Sequence, residues 1–419
     1  MPDLDYGYEV TIQTPATSDP AASSVTNQWQ RQVPGNVKWD DISGGSNETY
    51  KIASGDRSAK VRLQQDLNGA KVYSNELQVT SSEFELENGI DEIGGVSGDL
   101  KTWGAVLAPN GKIWCVPNYL GYWIEVDPTA KTTSIDVGKG YSGGKFRGAA
   151  MGLDGLIYTA PYSSGAISWL DPETRIFTLG TDPIYKGYMG AVSAPNGKIY
   201  YIPAEAGTVG IVNTVDKSFS TIPNTLTEKI KCCGGTLVPN NKIVCAPYGS
   251  AYILEIDTTT NTVQKYPHGI SSPTAMYAGA VLAPNGKVYF IPYSQTTVGV
   301  FDPQTKSFSQ FGSFPGQYKW TGGVLGSNGK VYGIPYKSKS ILEIDPSNNT
   351  AKAYGEIGKG EGDWQGGCLH FDGKIYGAPS YGNGVLTLDV EGPSGTTWHM
   401  PGLPNDTLDP LSPYFNKSF

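Results

Sequence analysis

GAVLAPNGKIWCVP, from Gly104 to Pro117, is the first of seven versions of one fourteen-residue phrase. It returns as Gly148–Pro161 (GAAMGLDGLIYTAP), Gly190–Pro203, Gly234–Pro247, Gly279–Pro292, Gly322–Pro335 and Gly366–Pro379 (GGCLHFDGKIYGAP). The copies begin 44, 42, 44, 45, 43 and 44 residues after one another. A self-similar period in this range marks a repeat architecture, in which each unit buries its apolar faces only against its neighbours.

Each unit reads as four short strands. GAVLAP and KIWCVP are the first two, joined by Asn-Gly, the pair favoured in a type I′ hairpin because both central residues need positive φ. The third is Ile124–Asp127, then Ser168–Asp171, Gly210–Asn213, Leu254–Asp257, Gly299–Asp302, Leu342–Asp345 and Leu386–Asp389. It usually ends in an Asp (Asn213 in blade three), whose side chain can cap a tight turn. A polar fourth run follows, such as Lys217–Ile222, Lys306–Phe311 or Asn349–Tyr354. Sheets packed on both faces with a solvated outer strand fit this pattern. Seven of them in a ring make a seven-bladed β-propeller.

The chain has 419 residues, enough for two domains. Its net charge of −8, with 17% charged residues, argues against binding nucleic acid through a phosphate-neutralising surface. The 54 Gly and 26 Tyr suit turn-rich β structure. No apolar run approaches the roughly 20 residues that span a bilayer, and the first residues show no secretory signal. The five cysteines, Cys115, Cys232, Cys233, Cys245 and Cys368, form neither a disulfide framework nor a metal motif. Free thiols, folding in a reducing cytosol, are expected. No cofactor and no metal are implied, since P-loop, dinucleotide and zinc-ligand spacings are missing.

Residues 6–80 lack the repeat but alternate as strands do. Trp29 in NQWQRQ, Trp39 with Ile42-Ser43-Gly44, Thr49–Ile52, Asp56, Val61-Arg62-Leu63 and Ser74–Val79 resemble an immunoglobulin-like module of the kind appended to phage virion and bacterial surface proteins. With no cysteine pair between the sheets, that resemblance leaves Trp29 to anchor the core by packing. The expected order is an immunoglobulin-like β-sandwich over 1–82, a junction over 83–103, a propeller over 104–400 and a tail over 401–419 ending LSPYFNKSF. For the outer strand of blade seven, Thr396–Met400 is favoured over Phe84–Leu86 because it keeps the register of the other blades.

From opening Gly to third-strand end the spacing is 23 in all seven copies. Turns of PNGK and DPxT type therefore share one face of the disc, while the second-to-third loops and the blade connections share the other. That second face is diversified. Immediately before the opening Gly stand Trp103, Arg147, Met189, Cys233, Ala278, Thr321 and Gln365. One constant and one variable face suggest a binding surface on the variable side; loops under less constraint give the plainer explanation. The tyrosines after the closing Pro, Tyr162, Tyr248, Tyr293 and Tyr336, read as packing residues of the repeat. The candidate binding residues are Trp103, Tyr119, Tyr122, Arg147, Tyr188, Glu205, Trp320, Trp364, Gln365 and Tyr381, since aromatic faces suit sugar rings and protein hot spots. Truncating Trp103, Trp320 and Trp364 is expected to weaken attachment without disturbing the fold.

No catalytic residues are assigned: His268, His370 and His399 fall on separate parts of the unit. Glu205, Glu361 and Asp363 reach the variable face without a glycosidase spacing. The repeat also resembles propeller lyases of the streptogramin-inactivating type and gluconolactonase-like enzymes. That resemblance implies a His/Glu or carboxylate–metal cluster at the channel mouth, and the seven mouth residues hold neither acid nor His. Taken whole, the module, the GAVLAPNGKIYGIP-type repeats and the tail resemble bacteriophage (cyanophage-like) virion proteins. The resemblance implies a non-enzymatic structural or adhesion subunit of the virion, assembled in the host cytoplasm. Its partners would be other virion proteins, through the module or the tail, and a host-surface glycan or protein. A propeller enzyme acting on a lactone or glycan is the alternative.

Overall fold

The computed structural model describes residues 101–138, 146–183, 186–271 and 274–390, the strand Ile90–Ile93 with Gly94, and a set of strands nearer the N-terminus. Seven four-stranded antiparallel sheets occupy the repeat region. Their first strands are Thr102–Leu107, Phe146–Met151, Tyr188–Ser193, Cys232–Val238, Tyr277–Leu282, Trp320–Leu325 and Trp364–Leu369. Each lies beside the first strand of the next sheet, and Trp364–Leu369 lies beside Thr102–Leu107. The ring closes, and the fold is a seven-bladed β-propeller.

The opening Gly is explained by a bulge. In blade one Thr102 pairs with Pro117 and Ala105 with Cys115, so three steps on the first strand oppose two on the second. The same shift recurs in the other six blades. The seven opening glycines have φ between 69° (Gly366) and 133° (Gly279), where a Cβ is strained.

The turns on the opposite face differ from the expected type I′ form. In blade one the Gly111 amide donates to Ala108 O (3.0 Å) and the Ala108 amide to Lys112 O (2.9 Å). Gly111 has φ 79° while Asn110 is not left-handed. Gly111 completes a three-residue loop opened by Pro109, and Gly155, Gly329 and Gly373 complete the same loop opened by Leu153, Ser327 and Phe371, so the left-handed Gly rather than the Pro sets the form. Only blade four, with Asn240 at 65° and Asn241 at 57°, has both central residues left-handed. The turn Asn then stitches blades together: Asn110, Asn196 and Asn285 donate to Pro172 O, Thr258 O and Pro346 O of the following blade, at 3.2, 2.9 and 2.8 Å. At the third-to-fourth turns the expected caps are present, with Asp257 Oδ1 accepting from the Thr259 and Thr260 amides, both at 2.9 Å.

The core lies between blades rather than within them. One cluster joins Tyr158 and Ile167 of blade two to Tyr188 and Tyr201 of blade three. Others join blades one and two, three and four, four and five, and five and six. The cluster between blades seven and one contains Ile93. Ile90–Ile93 is the outer strand of blade seven, pairing antiparallel with Val385–Asp389 (Val385 with Ile93, Leu388 with Ile90). This corrects the closure expected from the local segment: the strand comes from the junction, upstream of blade one. Thr396–Met400, Phe84–Leu86, His399 and the tail lie outside the described residues. Closure is reinforced where His370 Nε2 meets Gly111 O at 3.2 Å across the same seam.

All five cysteines are buried free thiols. The chain divides near Leu86, and the N-terminal unit has its own strands. Val25–Gln32 pairs antiparallel with Lys60–Leu67, placing Trp29 opposite Leu63. Glu9–Thr11 pairs with Thr49–Lys51 in a second, two-stranded sheet. Trp39 and Asp56 lie outside the described residues.

Candidate functional site

The bulge turns the residue before each opening Gly toward the channel axis. Trp103, Met189, Cys233 and Ala278, from blades one, three, four and five, share one cluster with Ala204, Tyr162, Tyr248 and Tyr293. Residues from non-neighbouring blades of a ring meet only at its axis. The mouth is thus built from two tiers. The lower tier is the position before the opening Gly. The upper is the position after the closing Pro: Asn118, Tyr162, Ala204, Tyr248, Tyr293, Tyr336 and Ser380.

The upper tier is held by the blade that follows it. Lys231, Lys319 and Asp363, three residues before their opening Gly, donate from their amides to Ala204 O, Tyr293 O and Tyr336 O at 3.0, 2.8 and 2.9 Å. Three lysines at this position are buried and add their ammonium groups. Lys101 Nζ donates to Ser380 O (3.0 Å) and Gly382 O (2.9 Å). Lys231 reaches Ala204 O and Glu205 O, both at 3.3 Å. Lys319 reaches Tyr293 O, Gln295 O and Gly316 O at 3.2, 3.0 and 2.8 Å. Burial lowers the pKa of Lys231, and takes that of Lys319 down to about 8. Such staples preorganise the mouth.

Aromatic rings line it. Tyr248 and Tyr293 have centroids 5.8 Å apart, Tyr293 and Tyr336 6.0 Å, and Tyr293 and Tyr318 5.1 Å. These rings are partly exposed. On the other side Arg147 lies between two faces, its Cζ 3.6 Å from the Tyr162 centroid and 4.4 Å from that of Trp103. Its Nη1 also contacts Met189 Sδ at 3.9 Å. Tyr162 OH donates to Glu205 Oε1 at 2.8 Å. Burial raises the pKa of Tyr162, with Arg147 acting against it and Glu205 with it. Burial raises those of Tyr248, Tyr293 and Tyr336 as well, so these phenols are donors at neutral pH.

The ten candidates separate into three groups. Trp103, Arg147, Glu205 and Gln365 meet at or beside the mouth. Tyr119 is 56% exposed, Tyr381 half-buried beside Tyr336 across Gly362, and Tyr122 packed partly into the seam between blades seven and one. Tyr188, Trp320 and Trp364 are at most 2% exposed, and this corrects their placement as surface residues. They stand two before the opening Gly, the last regular position before the bulge, and wedge into the blade interfaces. Trp320 Nε1 donates to Ser340 O (2.6 Å) and Trp364 Nε1 to Gly384 O (2.9 Å). Phe146 and Tyr277 hold the same position, so aromatics at a fixed offset in five units carried the missed signal. The Pro-Tyr tyrosines, expected to be packing only, both pack and line the mouth.

Chemically the mouth offers stacking surfaces, phenol donors and one cation. Its cysteine, Cys233, is unreactive because burial pushes the thiol up to about 12. His268 is neutral and elsewhere, bonded to Ser250 O (2.7 Å) through Nε2 and accepting the Ile270 amide at Nδ1 (3.1 Å). Asp363 is spent on the Lys359 and Gly360 amides, both at 2.8 Å.

No protein-family model and no curated protein sequence matches the chain. Solved structures do. A streptogramin B lyase superposes with a TM-score of 0.62 at 16% identity, covering 72% of this chain and 97% of its own. Virginiamycin B lyase from Staphylococcus aureus, in a catalytically inactive form with quinupristin, gives 0.61 at 16% identity over 72% of this chain and 99% of its own. The WD40 repeats of RRP9 give 0.56 at 10% identity, over 73% and 98%. The likeness is one of fold, shared by a lyase and by a repeat protein of another kind.

Proposed function

We propose that the propeller is a non-enzymatic recognition module whose working surface is the channel mouth on the diversified face. The observation that carries this is the pair of stapled tiers, with partly exposed tyrosines in mutual contact on one side and a guanidinium packed against Trp103 and Tyr162 on the other. Rigid aromatic and arginine anchors are the groups that dominate binding energy at recognition surfaces.

Resemblance of the module, the repeats and the tail to cyanophage-like virion proteins supports a place on a particle. There the N-terminal immunoglobulin-like module or the tail would contact neighbouring virion proteins, and the mouth face a host-surface glycan or protein. A lyase-type function has the shared fold in its favour, but the lower tier presents neither a carboxylate nor a His. Adhesion to host envelope fractions tests the module reading. The double variant Tyr248→Ala/Tyr293→Ala should bind at least about tenfold more weakly, since each central aromatic is typically worth about 2 kcal/mol. Asn285→Ala, on the opposite face, should bind normally. The converse result would place the working surface on the other side of the disc. Mass spectrometry of purified particles tests the virion setting, which a protein missing from them would overturn.

A further inference from the structure

The two tiers are chemically lopsided. Over blades three, four and five the lower tier is Met189, Cys233 and Ala278, an apolar arc beneath Tyr248 and Tyr293. In blades six, seven and two it is polar, and each of these three residues has an unmatched polar atom. Thr321 Oγ1 and Gln365 Oε1, on residues 2% and 1% exposed, are buried without a hydrogen-bond partner among the described residues, as is Arg147 Nε. In the upper tier above them Asn118 Nδ2 and Ser380 Oγ are likewise buried and unpartnered. A buried polar group without a partner costs roughly 1–3 kcal/mol, so five on one arc of one mouth point to a ligand that completes them.

Their types define it. Arg147 packs against the rings of Trp103 and Tyr162, while Nε–H, on the in-plane edge of its guanidinium, has no partner. That edge is the fork that receives a carboxylate. Among the described residues no Asp or Glu pairs with Arg147, since the neighbouring Glu205 accepts from Tyr162 OH instead. The remaining orphans are a mixed set of donor, acceptor and hydroxyls, which a ring bearing several hydroxyl groups satisfies in both senses. The partly exposed tyrosines of the upper tier, Tyr248 and Tyr293, suit the apolar face of such a ring. Resting on the recognition-module reading above, we infer that the mouth binds an acidic sugar, its carboxylate on the edge of Arg147 and its hydroxyls toward Gln365, Thr321 and Asn118.

Calorimetric titration of the full chain tests this with four probes: methyl glucuronoside, its uncharged primary amide, methyl glucoside and cyclohexanecarboxylate. The glucuronoside should bind at least about tenfold more tightly than its amide, as loss of a charge-assisted hydrogen bond demands. Arg147→Gln should abolish that gap, with the β-sheet circular dichroism of the wild type reporting an intact fold. Gln365→Leu should weaken both sugar derivatives and spare the cyclohexane acid. Equal affinity for acid and amide, or a gap surviving in Arg147→Gln, would overturn the carboxylate assignment. Cyclohexanecarboxylate binding as tightly as the glucuronoside would overturn the sugar. Binding of none of the probes would overturn the ligand class, while the Tyr248/Tyr293 adhesion experiment decides the recognition-module reading separately.

Discussion

Lys319 donates to three carbonyls with only 6% of its surface exposed, and burial takes its pKa from 10.5 to about 8. Between those values the unfolded chain holds a proton that the folded one has released, so this residue makes stability rise with pH. Four buried thiols, Cys115, Cys233, Cys245 and Cys368, act in the opposite sense above about pH 9, because burial holds their folded pKa values above the unfolded one. A comparison with Lys319→Met cancels the thiols. Wild type should gain stability relative to that variant as pH rises from 7 to 9.5, read from urea midpoints; a pH-independent difference would show that the ammonium is not desolvated. At Trp320 the indole fills the interface between blades five and six, so Trp320→Ala should cost about 3–5 kcal/mol. Tyr119→Ala, at an exposed ring, should stay within about 0.5 kcal/mol. At this scale the sequence was legible only in part. Arg147 and Gln365 were identifiable because they break the repeat at a position whose neighbours are small or apolar. Trp320 and Trp364 were misplaced because two adjacent residues on a bulged strand point to different environments, one into a blade interface and one to the axis. That divergence is created by backbone geometry, and alternation alone does not reveal it.

The bulge is the element that makes a mouth possible, and its glycines can be ranked by what a Cβ would meet. Gly190 has φ 103°, and a Cβ there would lie 3.0 Å from Gly234 Cα of the next blade. Gly155, in the turn of blade two, has φ 81° with nothing within 4 Å. Gly155→Ala should cost roughly 1–2 kcal/mol, the left-handed penalty alone. Gly190→Ala should cost more, because two backbones must separate, and equal shifts in denaturation midpoint would refute the close approach. The hairpin turns teach a related lesson about legibility. Asn-Gly was a sound turn signal, but only its Gly is left-handed, and Asn240-Asn241, the turn that lacks the Gly, is the one with both central residues left-handed. The Asn side chains that reach the next blade were invisible in the sequence, since nothing local says that a turn residue will find a carbonyl some sixty positions away.

A repeat protein ring has one seam, and here it is sealed by a strand from before the first repeat. The repeats made the blade number legible, because the fourteen-residue phrase occurs once per blade. They could not reveal the closing strand: IDEI at Ile90–Ile93 shares no phrase with the other outer strands, and its Gly-rich surroundings read as a linker. Its contribution is now definable. Four residue pairs join it to Val385–Asp389, and Ile93 is 6% exposed within the cluster that spans blades seven and one. Burying one such side chain stabilises by about 1.5–3 kcal/mol before any ladder hydrogen bond is counted. Two truncations therefore separate the units from the seam. A chain beginning at Leu86 keeps the strand and should melt as the propeller does in the full protein. A chain beginning at Gly95 leaves blade seven with three strands and Val385–Asp389 as an unpaired edge. It should lose at least about 3 kcal/mol, taking the Ile93 side chain together with its ladder. It should also self-associate through the open edge. A peptide spanning residues 88–96, added in excess, should restore both the melting temperature and the monomer. If the two truncated chains melted alike as monomers, the ring would be sealed by another part of the chain, and the seam between blades seven and one would owe nothing to Ile90–Ile93.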